Sequence, residues 1–230
     1  MKYMGFKSKL AKHILPIILS KRLPEQYYVE PFCGGCNLID KVLGNRIANV
    51  VHFYLIEMYK AIQSGWVPPK EVSKEDYLNA KKGNITCEFK NALIGYIGFN
   101  ATFGSKYFNG YANEQPNRNY TQESYRNIIK QIPQLLEIEF NCGSYDEFYI
   151  PKNSLIYCDP PYKNTTKYVT DTFDYNKFYE WCRTMKNIGH TIYISEYGMP
   201  DDFTCVYEKN ITSSLSQKNK ISTEKLFTLN

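Results

Sequence analysis

A chain of 230 residues is long enough for one sizeable hydrophobic core with room for an inserted subdomain. Its 28 Lys and Arg against 23 Asp and Glu give a formal net charge of +5, which suits a polyanionic partner without demanding one. No run of roughly twenty apolar residues is present, so no membrane-spanning helix is expected. The N-terminal Leu10 to Leu19 segment, interrupted by Lys12, His13 and Pro16, reads as an amphipathic first helix rather than a signal peptide. The seven scattered cysteines are expected as free thiols in a reducing cytoplasm. Aromatics make up 16% of the chain, with 21 Tyr; such residues stack on bases at some surfaces and fill the core elsewhere.

Tyr3-Met4-Gly5-Phe6-Lys7-Ser8 is a glycine-bearing basic turn opening that helix, with Ser8 as a candidate cap. Tyr3 and Lys7 can face an anionic cofactor group; an ordinary solvated helix start has the same composition. Next, Gln26 to Glu30 reads as a strand ending in an acid, followed by Pro31-Phe32-Cys33-Gly34-Gly35-Cys36-Asn37 and a helix over Leu38 to Leu43. Strand, glycine turn and helix in succession is how doubly wound α/β folds build a nucleotide site. Glu30 can accept from a cofactor ammonium or hydroxyl, and glycines let backbone approach a ligand closely. Cys33-x-x-Cys36 lacks a second pair at ligand spacing, so no metal site is expected.

Ile47 to Phe53 reads as the second strand, with a helix from Tyr54 to Ile62. Nucleotide-binding units usually carry an acid near the end of this strand to hold the ribose. Asn49, Val50 and Val51 supply none.

From Gly65 to about Gln131 the pattern changes. A charged helix is expected over Lys70 to Lys82, an apolar one over Phe89 to Phe99, and another over Tyr125 to Leu136. Between them, Asn100 to Tyr111 mixes glycine, aromatics and Lys106 without a clear period, and Asn113 to Tyr120 is polar. An insertion presenting aromatics, amides and basic groups suits the reading or wedging of nucleic acid. On composition alone a polar surface hairpin fits equally well. Lys106, Asn117, Arg118 and Asn119 are the candidate base-edge contacts.

Ile138 to Cys142 is a short strand, and the Gly143 to Phe148 loop would bring Tyr145 against a cofactor base. The apolar strand Leu155-Ile156-Tyr157 then ends abruptly in Cys158-Asp159-Pro160-Pro161-Tyr162. Neither proline donates a backbone hydrogen bond and each fixes φ, so the Pro160 carbonyl is rigidly aimed. Asp159 and that carbonyl can accept both hydrogens of one exocyclic amine while Tyr162 offers a face for a flat ring. A base inside a duplex cannot reach such a cup unless it is flipped out. A strand followed by an Asp-Pro turn is the alternative.

Lys163 to Tyr168 is polar, a candidate lid or phosphate contact. Asp174 to Met185 has helical spacing with Phe178 and Trp181 inward, and Thr191 to Ser195 is a strand ended by Glu196-Tyr197-Gly198. The Lys-rich stretch from Ser213 to Lys225 is expected to be a loop, with Leu226-Phe227 returning to the sheet.

Taken in order, these features resemble the Dam-like DNA adenine N6-methyltransferases, phage-type members in particular. Tyr3-x-Gly5-x-Lys7 is similar to the family's opening cofactor motif, Glu30-Pro31-Phe32-Cys33-Gly34-Gly35 to its glycine-rich motif, and Asp159-Pro160-Pro161-Tyr162 to its catalytic motif. Phe103-Gly104-x-Lys106-x-Phe108-x-Gly110-Tyr111, Ser195-Glu196-Tyr197 and Glu224-Lys225-Leu226-Phe227 are similar to phage members as well. The resemblance implies a Rossmann-like α/β catalytic domain over residues 1–62 and 134–230, with a helical and hairpin target-recognition insertion over 63–133. It implies S-adenosylmethionine as cofactor, held by Tyr3, Lys7, Glu30, Phe32, Gly34, Gly35, Tyr145 and Asp159, and no metal. Asp159, Pro160 and Tyr162 would be catalytic, acting on an adenine flipped from double-stranded DNA. Lys163 would join the four insertion residues on DNA, in the cytoplasm of a bacterium or phage-infected host, with or without a partner restriction enzyme. The pattern breaks at Val50, where the family carries the ribose-holding acid. This leaves a catalytically impaired relative that binds DNA or protein as the alternative.

Overall fold

The computed structural model describes residues 1, 3, 5, 7–112, 119–163, 173–213 and 220–229. Its strands are β1 (Tyr28–Glu30), β2 (Arg46–Val50), β3 (Ile138–Cys142), β4 (Leu155–Cys158), β5 (Thr191–Glu196), β6 (Phe203–Ser213) and β7 (Lys220–Leu229). They form one sheet in the order β3-β2-β1-β4-β5-β7-β6. The first five pair in parallel, and β7 lies antiparallel to both β5 and β6. The chain runs outward from β1 through β2 to β3, then returns to place β4 on the other side of β1. That reversal is a topological switch point, and the crevice above it lies at the carboxyl ends of β1 and β4. Glu30 ends β1 and Asp159 follows β4 directly. Two distant stretches of sequence therefore deliver acids to one crevice.

Parallel strands covered on both faces are expected to be apolar throughout, and every residue of β1, β2 and β4 is buried. Alternation divides them between two layers. Tyr28, Ala48, Leu155 and Tyr157 face one apolar cluster with α1 (Ser8–Ile18) and α2 (Phe53–Gln63). Val29, Ile47, Ile156 and Cys158 face the other, with α6 (Tyr175–Asn187). In α1 the buried positions are Leu10, Ala11, Ile14, Leu15 and Ile18, the spacing of one helical face.

Between α2 and β3 lie α3 (Lys74–Lys81), α4 (Lys90–Asn100) and α5 (Tyr120–Leu135), the last running past residue 133, the expected end of the insertion. A capping box joins Ser73 and Asp76 at the start of α3. Val72, Tyr77, Ile94 and Tyr96 belong to the same apolar cluster as α1 and α2. Gly95 lets α4 lie directly on α2, since a Cβ there would sit 2.0 Å from the Tyr54 carbonyl oxygen.

Several expected elements differ. Lys7, not Ser8, is the N-cap of α1, and it makes no side-chain cap bond. The helix expected over Leu38 to Leu43 is a single 3-10 turn, Ile39–Lys41. Cys36 at φ +54° and Gly44 at φ +78° bracket it, leaving too few residues for α-helical propagation. β2 stops at Val50, where its ladder with β3 ends, and His52 caps α2. The Lys-rich stretch is strand where described: Ser213 pairs with Lys220, and β7 continues through Lys225. Lys225 stands in register with Glu208 of β6 and Glu196 of β5, so opposite charges meet across the ladder.

Candidate active site

β4 carries Leu155 to Cys158 into the core, and Asp159 is the first residue beyond its paired end. The carbonyl of Pro161 accepts from the Tyr175 hydroxyl at 3.0 Å, fixing the diproline segment against α6. Glu196 fixes it from the other side. This acid is 2% exposed; its Oε1 accepts from the Tyr197 amide at 2.7 Å and its Oε2 from the Lys163 amide at 3.2 Å. The Tyr197 ring then meets the Tyr162 ring edge-on, with centroids 4.7 Å apart. Burial pushes the Glu196 carboxyl up to about 7, against the pull of the two amides.

The cup holds a cation. Lys7 Nζ lies 3.3 Å from Asp159 Oδ1 and 3.2 Å from Glu224 Oε2, and its side chain is only 8% exposed. The same Glu224 oxygen accepts from the Tyr162 hydroxyl at 2.8 Å, and the Lys7 ammonium sits 4.2 Å from the Tyr162 ring centroid. Burial alone would lower the Lys7 amine, but the Asp159 and Glu224 carboxylates outweigh it and hold the amine above its ordinary value. Asp159 is raised to about 6, first by burial, with Lys7 opposing and Glu224 adding to the rise.

On the β1 side, Glu30 accepts from the Tyr28 hydroxyl at 2.9 Å. Its burial pushes the carboxyl well above the usual range. Tyr3 packs on the glycine turn so closely that a Cβ on Gly34 would meet its ring at 2.7 Å. Gly34 also has φ +44°, so the position excludes a side chain twice over. Asn49 Nδ2 donates to the Pro31 carbonyl at 3.1 Å and the Gly143 carbonyl at 3.0 Å, tying together the loops that follow β1 and β3. Tyr145 stands in an aromatic group with Phe32, Phe173, Phe178 and Trp181, and its buried hydroxyl has no hydrogen-bond partner among the described residues.

These groups share one cavity of about 660 Å³, in the range of small-molecule sites. Tyr3, Lys7, Glu30, Phe32, Gly34, Gly35, Tyr145, Asp159, Pro160 and Tyr162 all line it. So do Val50 and Val51, read from the sequence as the place of the ribose-holding acid, and Asn37, Asp174, Lys177, Tyr197 and Glu224, which were not among the candidate site residues. For Glu196 a signal existed, since it ends an apolar strand, where an unpaired charge is costly; Glu224, among polar residues of the Ser213 to Lys225 stretch, gave none beyond its place in the Glu224-Lys225-Leu226-Phe227 motif. Lys106, Asn119 and Lys163 lie off the cavity. The Lys106 carbonyl accepts from the Thr102 hydroxyl, Asn119 caps α5 through the Gln122 amide, and Lys163 stands at the cup's rim with Nζ 5.8 Å from the Tyr175 ring centroid. Asn117, Arg118 and the remainder of the Lys163 to Tyr168 stretch lie outside the described residues. Among the described residues no cluster of His, Cys, Asp and Glu is arranged to hold a metal ion, and no helix is long and apolar enough to cross a membrane.

The model of the D12 class N6 adenine-specific DNA methyltransferases matches residues 3–225. Type II methyltransferase M.FokI from Planomicrobium okeanokoites is 27% identical over 191 residues, covering 71% of this chain and 29% of that protein. The chain thus matches less than a third of that relative's length. Among solved structures, SMU.472 complexed with SAH aligns over 98% of this chain and 52% of its own, at 13% identity and a TM-score of 0.39. HI0767 from Haemophilus influenzae aligns over 99% and 92% respectively, at 9% identity and a TM-score of 0.38.

Proposed function

The chain belongs to the D12 class N6 adenine-specific DNA methyltransferases, and from that premise we propose that it methylates N6 of an adenine flipped out of double-stranded DNA, with S-adenosylmethionine as donor. The observation that carries this reading is the single cavity joining the glycine turn and Glu30 of one strand to the Asp159 cup of its neighbour. Two ligands that must react can meet there.

The residues fit the donor in most respects. Glu30 is a buried carboxyl whose only hydrogen-bond partner among the described residues is Tyr28, and an arriving ammonium would favour its ionised form. Phe32 and Tyr145 offer aromatic surface for a base, and the Tyr145 hydroxyl is a buried polar atom without a partner among the described residues. Bound there, S-adenosylmethionine supplies a methyl carbon already activated by its sulfonium sulfur. On the substrate side, Asp159 and the Pro160 carbonyl accept the two N6 hydrogens, drawing the nitrogen lone pair out of conjugation with the ring. S-adenosylmethionine held by Glu30, Phe32 and Tyr145 would offer that methyl to N6, its C–S bond breaking as the N–C bond forms, with S-adenosylhomocysteine leaving and the extra N6 proton passing to solvent. The protein contributes positioning and a fixed negative field at the nitrogen that becomes positive.

The insertion over 63–133 would form the target-recognition part, with Lys106, Asn117, Arg118, Asn119 and Lys163 as DNA contacts. A second reading, an impaired relative that binds DNA without turnover, is favoured by one feature. Val50 and Val51 present apolar side chains at the β2 end of the cavity, where a ribose would lack an acid. Titration with S-adenosylmethionine followed by mass spectrometry of treated DNA separates the two. N6-methyladenine that disappears in Asp159→Ala, with DNA binding retained, supports transfer. A protein that binds DNA but neither binds the donor nor yields N6-methyladenine supports the second reading.

A further inference from the structure

Lys7, Glu224 and Tyr162 form a set that stands where the substrate must go. The Lys7 ammonium touches Asp159 and lies over the Tyr162 ring. A flipped adenine needs those same two contacts, an N–H donor against Asp159 and a flat partner on Tyr162. A base stacked on that ring face with its amino group at Asp159 Oδ1 would take the place the ammonium now fills. Lys7 is nearly buried, so losing a carboxylate without retaining another would leave an uncompensated charge in the cleft. Glu224, 3.2 Å away and the one acid of β7, is already in contact with it.

On the methyl-transfer reading above, we propose that Glu224 is a positioning residue that retains the Lys7 ammonium when the adenine amino group displaces it from Asp159. Lys7 then serves as a placeholder for the substrate's amino group, keeping the carboxylate compensated until a base enters. Glu224 makes the exchange reversible, because the cation moves between two adjacent carboxylates and never enters the cleft unpaired. The amino group is neutral, so the exchange changes no net charge. Glu224 also steadies the Tyr162 hydroxyl, linking the cation's position to the ring on which the base stacks.

The test uses Glu224→Gln, which keeps an oxygen for the Tyr162 hydroxyl and removes only the charge. Reductive methylation of Lys7 by formaldehyde and cyanoborohydride, followed by peptide mass spectrometry, requires no enzymatic activity. Loss of the neighbouring carboxylate should make Lys7 react about tenfold faster at neutral pH, since more of it is unprotonated. Equal rates in the two proteins would overturn the pairing. Glu224→Asp, which retains a withdrawn carboxylate, should fall between them and serves if the Gln variant folds poorly. In single-turnover methyl transfer, Glu224→Gln should slow the reaction roughly 10- to 100-fold, with donor affinity within about twofold of wild type. In a Lys7→Met background the same substitution should cost nothing further, because no ammonium remains to be stranded on Asp159. Losses that simply add in the double variant would refute the exchange. A wild-type protein without transfer activity would remove the functional reading, while Lys7 labelling would still decide whether Glu224 holds the cation.

Discussion

Removing the Lys7 charge should move the acid limb of the reaction. Asp159 must be ionised to accept from N6, and in the free protein its carboxyl lies at about 6 rather than the ordinary aspartate value, with burial as the main cause and Lys7 opposing it. Two unit charges separated by the 3.3 Å between Lys7 and Asp159 attract by about 5 kcal/mol at an effective dielectric of about 20, before desolvation. Opposite charges at such range shift a carboxyl by roughly one to three pH units. The sign follows directly. Without the ammonium, burial and the Glu224 charge act unopposed, so the Asp159 carboxyl rises. The rate of Lys7→Met should therefore begin to fall at a pH at least about one unit above the wild-type limb. The assay is kcat/KM for methyl transfer from pH 5 to 9, because that ratio reports groups of the free enzyme. A Lys7→Met limb that coincides with wild type, or moves to lower pH, would show that Lys7 does not support the ionised Asp159.

Other outcomes are equally specific. Val50→Asp should tighten donor binding about 10- to 100-fold by calorimetry, the equivalent of one charge-assisted hydrogen bond of about 1.5–3 kcal/mol; no change would mean the ribose lies elsewhere. Tyr145→Phe removes a buried hydroxyl without a partner among the described residues, so stability should hold within about 0.5 kcal/mol while donor affinity drops several-fold. Loss of stability with unchanged affinity would mean the hydroxyl bonds inside the protein. Gly95→Ala forces a methyl to within 2.0 Å of the Tyr54 carbonyl, and should cost about 1–3 kcal/mol. Thermal unfolding reads this as a Tm lower by several degrees, and an unchanged Tm would count against the close α2 and α4 packing.

How much of this was legible in the sequence follows from the range of each interaction. The strands carrying Glu30 and Asp159 declare themselves locally, through apolar runs that end in an acid and a turn, and both acids do line one cavity. The 3-10 turn after the glycines escaped because periodicity over Leu38 to Leu43 signals a buried face without reporting the positive φ of Cys36. β7 escaped for a different reason. Its lysines read as loop composition, whereas its place in the sheet depends on pairing with β5 and β6, which no local window contains.

The same limit explains why Lys7 was read as a cofactor contact at a helix start and Glu224 as part of a polar tail, with no link between them. The two are 217 positions apart in the chain, and the sheet order brings them together. Placing β7 between β5 and β6 sets the final strand two positions from β4, within side-chain reach of the segment that follows β4. Tyr162 of that segment bonds to Glu224, and Lys7 bridges Glu224 to Asp159. Chemistry that rests on a strand end can be read from the strand. Chemistry that rests on which strand lies beside it requires the fold. A cation whose two carboxylate partners follow β4 and lie within β7 is therefore a consequence of sheet topology, and the Lys7 labelling rate in Glu224→Gln tests that consequence directly.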